Sequence, residues 1–385
     1  MTKNIPSEND DSQGGVSDMK REQENSDFAK DLKRVDSTGI TLADIRKKQQ
    51  SGQYYYPKDP IIYNEIIRIK DLLLKYNQLK PSSQKERQEV IRDILGKCGE
   101  EVVISSPFYT DYGKNIYVGE HFFANFNFTV LDGGLVQIGD NAFIGPNVSI
   151  YTTCHPKDAA LRNKGVEWGE KVTIGDSVWI GGSVVICPGV TIGDEVVIGA
   201  GSVVVRDIPS YSVVAGNPSK IVKSTAFLAG GCFWGMEHYL QKLNGVISVE
   251  NGFMGGHVAH PSYEQVKSHT TGHAETVKVI YDPRVLNYEV LLRYYFEIHD
   301  PTQVNQQGID EGPQYRSEIF YVTSKEKETA EKLIAILKGE GFSVVTRLTD
   351  VKQAKPFYPA ESYHQDYFEH HEGEPDCHFY VKRFR

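Results

Sequence analysis

The amino-acid sequence predicts a multidomain fold: a stacked parallel β-coil under an N-terminal helical cap, followed by an α+β domain. Three observations predict it. At 385 residues the chain exceeds one compact unit, since domains run to about 100–200 residues. Ile174, Ile180, Ile186, Ile192, Ile198 and Val204 recur every sixth residue without a gap. Beyond Ser224 that period ends, and strand-like and helix-like stretches mix as far as the C-terminus.

Residues 1–40 hold 15 charged residues and nine from the aliphatic, aromatic, Met and Cys set. So little apolar surface does not offset chain entropy, and 1–41 is expected to be a disordered tail. From about 42 to 96 the pattern is helical. Ile62, Ile66, Ile69 and Leu73 fall on one face. Pro81 ends that helix, and Ser83 with Glu86 reads as a capping box opening a second.

The period-six run follows. An earlier run holds Val118, Ala124, Val130 and Val136, and a two-residue slip leads to Ile138, Ile144 and Ile150. An aliphatic followed by a small residue every six positions is the pattern of a stacked β-coil. The aliphatic points inward, and the Ile-Gly glycines are expected to relieve the corners. Between Ile150 and Ile174 the aliphatic positions become Pro156, Arg162 and Trp168, so a loop leaves the coil there, opening Thr152-Thr153-Cys154-His155.

After Ser224 the reading is a strand over 225–229, a helix from Cys232 to Leu243, and a strand around Val277, Val279 and Tyr281. A helix over Tyr288–Ile298, a strand over 318–322, a helix over 325–337 and a strand over 344–348 complete it.

The composition narrows the function. A net charge of −9 disfavours a nucleic-acid partner. No stretch approaches the roughly 18 apolar residues of a membrane span, and the first residues lack the apolar core of a secretory signal. Five cysteines, an odd number in a long chain, do not suit a secreted disulfide framework. A reduced, cytoplasmic protein without membrane association is expected, with no metal site among Cys98, Cys154 and Cys187, which read as small buried or semi-buried hydrophobes.

Two places carry chemistry. His155 stands in the off-coil loop as a candidate base, although a lone loop histidine is ordinarily only a solvated residue. Cys232, in Gly231-Cys232-Phe233-Trp234-Gly235, follows a strand and opens a helix. The positive end of the helix dipole is expected to lower its pKa and make it a nucleophile. The plain alternative is a structural thiol packed by its aromatic neighbours.

In the coil, Tyr112-Gly113-Lys114-Asn115-Ile116, Ala124-Asn125-Phe126-Asn127, Ile144-Gly145-Pro146-Asn147-Val148, His155-Pro156, Val178-Trp179-Ile180-Gly181 and Pro188-Gly189-Val190-Thr191-Ile192-Gly193 stand in order. Residues 42–223 thereby resemble the maltose/galactoside O-acetyltransferase family of hexapeptide-repeat proteins. The resemblance implies a left-handed parallel β-helix, a homotrimer, and acetyl-CoA as co-substrate for a sugar-like hydroxyl. It implies His155 as catalytic base, with Glu167 as a candidate to orient it, and Asn125 and Asp111 on the acceptor side. Gly182, Ala200, Val205, Arg206, Lys220 and Lys223 fall where the family contacts CoA. Where galactoside-type members carry paired aspartates, this chain has Asp132 and Gly133.

In the C-terminal part, Gly255-Gly256-His257, Pro261-Ser262-Tyr263-Glu264-Gln265-Val266, Thr271-Gly272-His273-Ala274-Glu275, His299-Asp300-Pro301 and Gln314-Tyr315-Arg316-Ser317 accompany the cysteine motif. The stretch 224–385 resembles the A-type peptide methionine sulfoxide reductases. The resemblance implies that Cys232 attacks the sulfoxide sulfur and becomes a sulfenic acid, while Phe233 and Trp234 hold the substrate methyl. It further implies that Glu275 protonates the departing oxygen, Tyr263 and Tyr315 donate to it, and Asp310 supports the cluster. Lys267 stands where many relatives have a resolving cysteine. Two routes are left open: Cys377 resolves through a mobile C-terminal tail, or thioredoxin or glutathione acts on Cys232 directly. The expected whole is a bifunctional enzyme; the alternative is a reductase displayed on a non-catalytic trimeric β-helix.

Overall fold

The computed structural model describes residues 41–354 and 356–384. Apart from Thr41, the expected disordered tail over 1–41 lies outside the described residues. Thr41 is the N-cap of the first helix, Leu42–Gln50, in a reciprocal capping box with Asp44. The second helix, Pro60–Gln78, opens with Pro60 in its first turn and buries Ile62, Ile69 and Leu73 along one stripe, with Ile66 half-buried beside them. The third, Gln84–Ile94, starts at Ser83 as predicted, but the capping box does not form. Glu86 instead faces Lys75 at 3.3 Å.

The period-six residues wind into short parallel strands of two to four residues. Ile174, Ile180, Ile186, Ile192, Ile198 and Val204 are all buried, as are Val118, Ala124, Val130, Ile138, Ile144 and Ile150. Phe143–Ile144, Trp179–Ile180, Val197–Ile198 and Val213–Ala215 stack in parallel register. Trp179 faces Val197, so a coil here takes 18 residues. In the earlier coils Val102 faces Phe122, Phe108 faces Phe128 and Ile116 faces Val136, a repeat of 20. The extra residues fall between the inward side chains Thr110 and Val118, and between Val130 and Ile138. The slip in the sequence is thus a pair of widened corners, one holding Asp111 and Tyr112, the other Asp132 and Gly133.

The glycines do something other than expected. Three residues after most inward aliphatics the backbone turns left-handed, at His121, Asn127, Asn141, Asn147, Ser177, Ser183, Gly189, Glu195 and Gly201. Only two of these are glycine; asparagine and serine tolerate the conformation well enough. The Ile-Gly glycines have ordinary φ values and are required for close stacking. A Cβ on Gly181 would lie 2.6 Å from the backbone nitrogen of Ala200, and one on Gly175 would collide with Asp194. A side-chain ladder follows the same corner: Asp140 N–H donates to Asp176 Oδ1 at 2.8 Å, Asp176 N–H to Asp194 Oδ1 at 2.9 Å, and Asp194 N–H to Ser210 Oγ at 2.9 Å.

The C-terminal domain is an α+β fold around one mixed sheet. Its central strand, Lys220–Gly230, first pairs with Val213–Ala215 and then runs between Ala274–Tyr281 and Ser317–Tyr321, antiparallel to each. Val246–Met254 and Tyr358–Pro359 extend one side, and Arg347–Asp350 lies parallel on the other. Helices Phe233–Leu240, Tyr288–Ile298 and Ser324–Gly339 pack Leu240, Leu291, Leu292, Tyr295 and Leu333 onto the sheet core. The helix Tyr288–Ile298 is as predicted. The strand expected over 344–348 forms instead at Arg347–Asp350, and Val246–Met254 was not anticipated.

Candidate active sites

In the C-terminal domain the central strand ends at Gly230, and Gly231 turns the chain at φ +104°. Cys232 follows as N-cap of helix Phe233–Leu240. A Cβ on Gly231 would collide with Gln307, so the turn requires glycine.

Glu275 comes from the neighbouring strand Ala274–Tyr281 and is 2% exposed. Its Oε2 accepts the Phe233 N–H at 3.1 Å, which ties it to the turn carrying the cysteine. Burial first, then the nearby Cys232, pushes its pKa well above the carboxylate range. That direction favours the protonated form, the one able to donate. Tyr263, placed by a capping box at Ser262, hydrogen-bonds Tyr315; burial pushes Tyr263 up to about 12, and Tyr315 is likewise raised.

Phe233 and Trp234 form an aromatic wall, with ring centroids 6.3 Å apart and Tyr263 at 6.4 Å from Phe233. Sequence reasoning missed two parts of this wall. His364, 1% exposed, accepts the Trp234 indole N–H on Nδ1 at 3.2 Å, and Tyr367 stacks on Trp234 at 3.8 Å. Their only sequence signal is the aromatic spacing in Tyr363-His364-Gln365-Asp366-Tyr367.

Cys232 departs from expectation. Its pKa is raised well above 9.0, chiefly by a hydrogen bond with Cys377 and then by burial. At this position those effects outweigh the helix dipole. Nor does Cys377 need a mobile tail. It is buried, held through its carbonyl by Gln307 Nε2 at 2.8 Å. The residues beyond it are fastened to Glu297, which accepts from Tyr380 Oη at 3.0 Å and Arg383 N–H at 3.2 Å. Ligating atoms of Cys232, Cys377 and Asp310 lie within 4.8 Å of one another, a group that could also hold a metal ion.

In the coil, the loop predicted after Thr152 is closed by a hairpin: Thr153–Cys154 pairs antiparallel with Trp168–Gly169. His155 and Glu167 flank that pairing, with His155 Nε2 4.0 Å from Glu167 Oε2. His155 is half exposed, while Glu167 is buried and its pKa is raised by that burial. Tyr112 Oη donates to Glu167 Oε1 at 3.3 Å, and Tyr55 exchanges backbone hydrogen bonds with Glu167 at 2.9 and 3.2 Å. Neither tyrosine was singled out from the sequence.

Asp132 is fully buried, accepting from Thr110 Oγ1 at 2.6 Å, Tyr112 N–H at 2.8 Å and Asp111 N–H at 3.2 Å. Burial raises its pKa to about 6. It braces the widened corner. Gly133 is required there, because a Cβ would lie 2.6 Å from the Tyr55 hydroxyl and would collide with Thr153.

Asp111 lines a cavity of about 490 Å³ with Lys70, Leu73, Leu74, Tyr109 and Leu131. Asn125 is half-buried, its side chain accepting the Phe126 N–H at 2.8 Å. Gly182 and Ala200 sit at one corner of successive coils, where Gly201 N–H donates to Gly182 O at 2.9 Å. Val205, Arg206, Lys220 and Lys223 are exposed toward the end of the coil. Among the described residues no helix is long and apolar enough to cross a membrane.

Known proteins resemble each of the two domains. The family model "Peptide methionine sulfoxide reductase" matches residues 224–385. "Maltose acetyltransferase hexapeptide capping motif" matches 48–99, and "Bacterial transferase hexapeptide (six repeats)" matches 171–206. A Saccharomyces cerevisiae protein named as an acetyltransferase, YJL218W, is 51% identical over 175 residues, 45% of this chain and 88% of that protein. The peptide methionine sulfoxide reductase MsrA of Nautilia profundicola is 47% identical over 156 residues, 40% of this chain and 88% of that protein. A solved maltose O-acetyltransferase from Clostridium difficile 630 is 44% identical, covering 48% of this chain and 96% of that one, with a TM-score of 0.45.

Proposed function

Because this chain belongs to the peptide methionine sulfoxide reductases through its C-terminal domain and to the hexapeptide acetyltransferases through its coil, we propose that one polypeptide performs both reactions. The domains are read as 42–223 and 224–385.

In the reductase, the observation that carries the reading is the Phe233 N–H bond to Glu275, which fastens the acid from its neighbouring strand to the turn that carries the nucleophile. Cys232, a thiol at rest, gives up its proton as it attacks the sulfoxide sulfur, while Glu275 supplies a proton to the oxygen. Tyr263 and Tyr315 donate to that oxygen, with Asp310 supporting the cluster, and Phe233 with Trp234 seats the methyl group. Methionine leaves and Cys232 carries the oxygen as a sulfenic acid. Cys377 then displaces it as water, giving a disulfide that thioredoxin or another thiol reductant reopens. Direct reduction of Cys232 by an external thiol is less well supported, because Cys377 already hydrogen-bonds it. Such recycling requires a reducing compartment, which supports a cytoplasmic location. The test is reduction of free and peptide-bound methionine sulfoxide. The S epimer should be consumed and the R epimer spared, and activity surviving Cys232→Ser would overturn the assignment.

In the coil, His155 takes the proton of a sugar-like hydroxyl as it attacks the thioester of acetyl-CoA, and Glu167 holds the imidazole. Asp111 and Asn125 serve the acceptor. Arg206, Lys220 and Lys223 supply cations for the CoA phosphates near Val205, and the small residues Gly182 and Ala200 leave room for its arm. A registered row of outward side chains, Phe143, Trp179, Val197 and Val213, with Phe143 and Trp179 55% and 59% exposed, supports a homotrimer. Acetyl-CoA turnover with a panel of sugars tests this half. Neither turnover nor CoA binding would leave the coil as a scaffold for the reductase.

A further inference from the structure

The two glycines that frame the nucleophile lie against one residue from outside their segment. A Cβ on Gly235 would collide with His378 Nδ1, and one on Gly231 would lie 3.1 Å from His378 Cε1. The imidazole of His378 thus rests against the backbone of the turn that carries Cys232.

Its hydrogen bonds fix its tautomer. Nε2 lies 2.8 Å from the carbonyl oxygen of Gly230, which only accepts, so Nε2 carries the proton. Nδ1 keeps its lone pair, 3.1 Å from Cys377 Sγ. The Cys377 thiol donates to Nδ1, and its sulfur takes part in the hydrogen bond with Cys232. The arrangement is a line from Cys232 through Cys377 to His378 and the Gly230 carbonyl.

We propose that His378 is the base of the resolving step, removing the Cys377 proton as that sulfur attacks the Cys232 sulfenic acid. The proposal rests on the reading of Cys377 as the resolving cysteine. The Cys377 S–H bond breaks, an S–S bond forms, and the Cys232 S–O bond breaks. The hydroxyl leaves as water with the proton that His378 has taken. Cys377 is oxidised, the Cys232 sulfur is reduced from sulfenic acid to disulfide, and no other oxidant or reductant enters. The ring returns to its starting tautomer.

The experiment mixes fully reduced, full-length protein with one equivalent of methionine S-sulfoxide, without added reductant. It follows methionine release, dimedone-trapped sulfenic acid and disulfide over time. In His378→Ala and His378→Gln, methionine release should match wild type, which also shows the site is folded. Disulfide formation should slow by about 100-fold or more, the scale of general-base catalysis, and dimedone should trap Cys232. Gln retains a donor for the Gly230 carbonyl but no basic nitrogen. Wild-type disulfide rates in His378→Gln would reduce the histidine to a structural prop and overturn the proposal, as would wild-type rates in His378→Ala. Should the alanine variant fail to release methionine, the glutamine variant alone decides. Cys377→Ser separates the two claims: a sulfenic acid that vanishes in it as fast as in wild type would refute Cys377 as resolver, irrespective of His378.

Discussion

The Phe233 amide N–H and the Glu275 carboxyl share a hydrogen bond of 3.1 Å, so the acid is fastened to the first helical residue after the nucleophile. Glu275→Gln keeps the size and an acceptor oxygen but has no acidic proton. It should lower single-turnover methionine release by about 10²–10⁴-fold. The folded pKa of Glu275 lies above its ordinary 4.5. Its contribution to stability is therefore complete below 4.5 and lost as pH rises through the folded value. The glutamine variant should lose less stability than wild type over that rise, as read by denaturant melts at several pH values.

Cys377 is the largest cause of the raised Cys232 pKa. Cys377→Ser should shift the pH dependence of Cys232 alkylation by iodoacetamide toward lower pH. An unchanged profile would mean that burial alone sets the thiol.

Tyr112 lowers the pKa of Glu167, against a larger upward push from burial. Tyr112→Phe should raise that pKa, leaving less carboxylate to hold His155. The acid limb of acetyl transfer should move to higher pH with kcat reduced more than KM for the acceptor. The fold should lose about 0.5–1.5 kcal/mol, the net value of one such bond, measured by urea denaturation.

Restoring a second carboxylate at the widened corner should fail. Gly133→Asp must displace the Tyr55 hydroxyl, 2.6 Å from the new Cβ, as well as Thr153. Overpacking of this kind costs about 1–3 kcal/mol. Gly133→Ala should lower Tm nearly as much, and adding Tyr55→Phe with Thr153→Ala should recover most of the loss.

Trp179→Glu places a charge in the middle of the outward apolar row while leaving the inward Ile180 untouched. Analytical ultracentrifugation should show dissociation of the proposed trimer, with methionine sulfoxide reduction by the same sample preserved.

The repeat was legible because burial and period coincide: each sixth residue points inward, so apolar identity alone marks it. The helix Tyr288–Ile298 was legible for the same reason, its buried residues recurring at helical spacing. The strand Val246–Met254 was hidden because Glu250, Asn251 and Gly252 interrupt it with polar and flexible residues. Asn251 is buried there, its side chain donating to the His364 carbonyl at 2.8 Å. The place of Cys232 could be read from local order, strand then glycine then helix, whereas the sign of its pKa shift could not. That sign is set by Cys377, 145 positions later in the chain. Tyr55 escaped notice similarly, since its link to Glu167 spans 112 positions.

The ladder of Asp176, Asp194 and Ser210 makes each coil both a receiver and a giver of one bond. Such a coil is an interchangeable link. Tandem duplication of residues 176–193 would bring its own aspartate to accept from the turn before and its own amide for the turn after. The β-helix could therefore lengthen by 18-residue steps without redesign of either end, so one genetic accident suffices to change its height. Ser210 closes the series with a neutral oxygen, one strand before the chain leaves the coil.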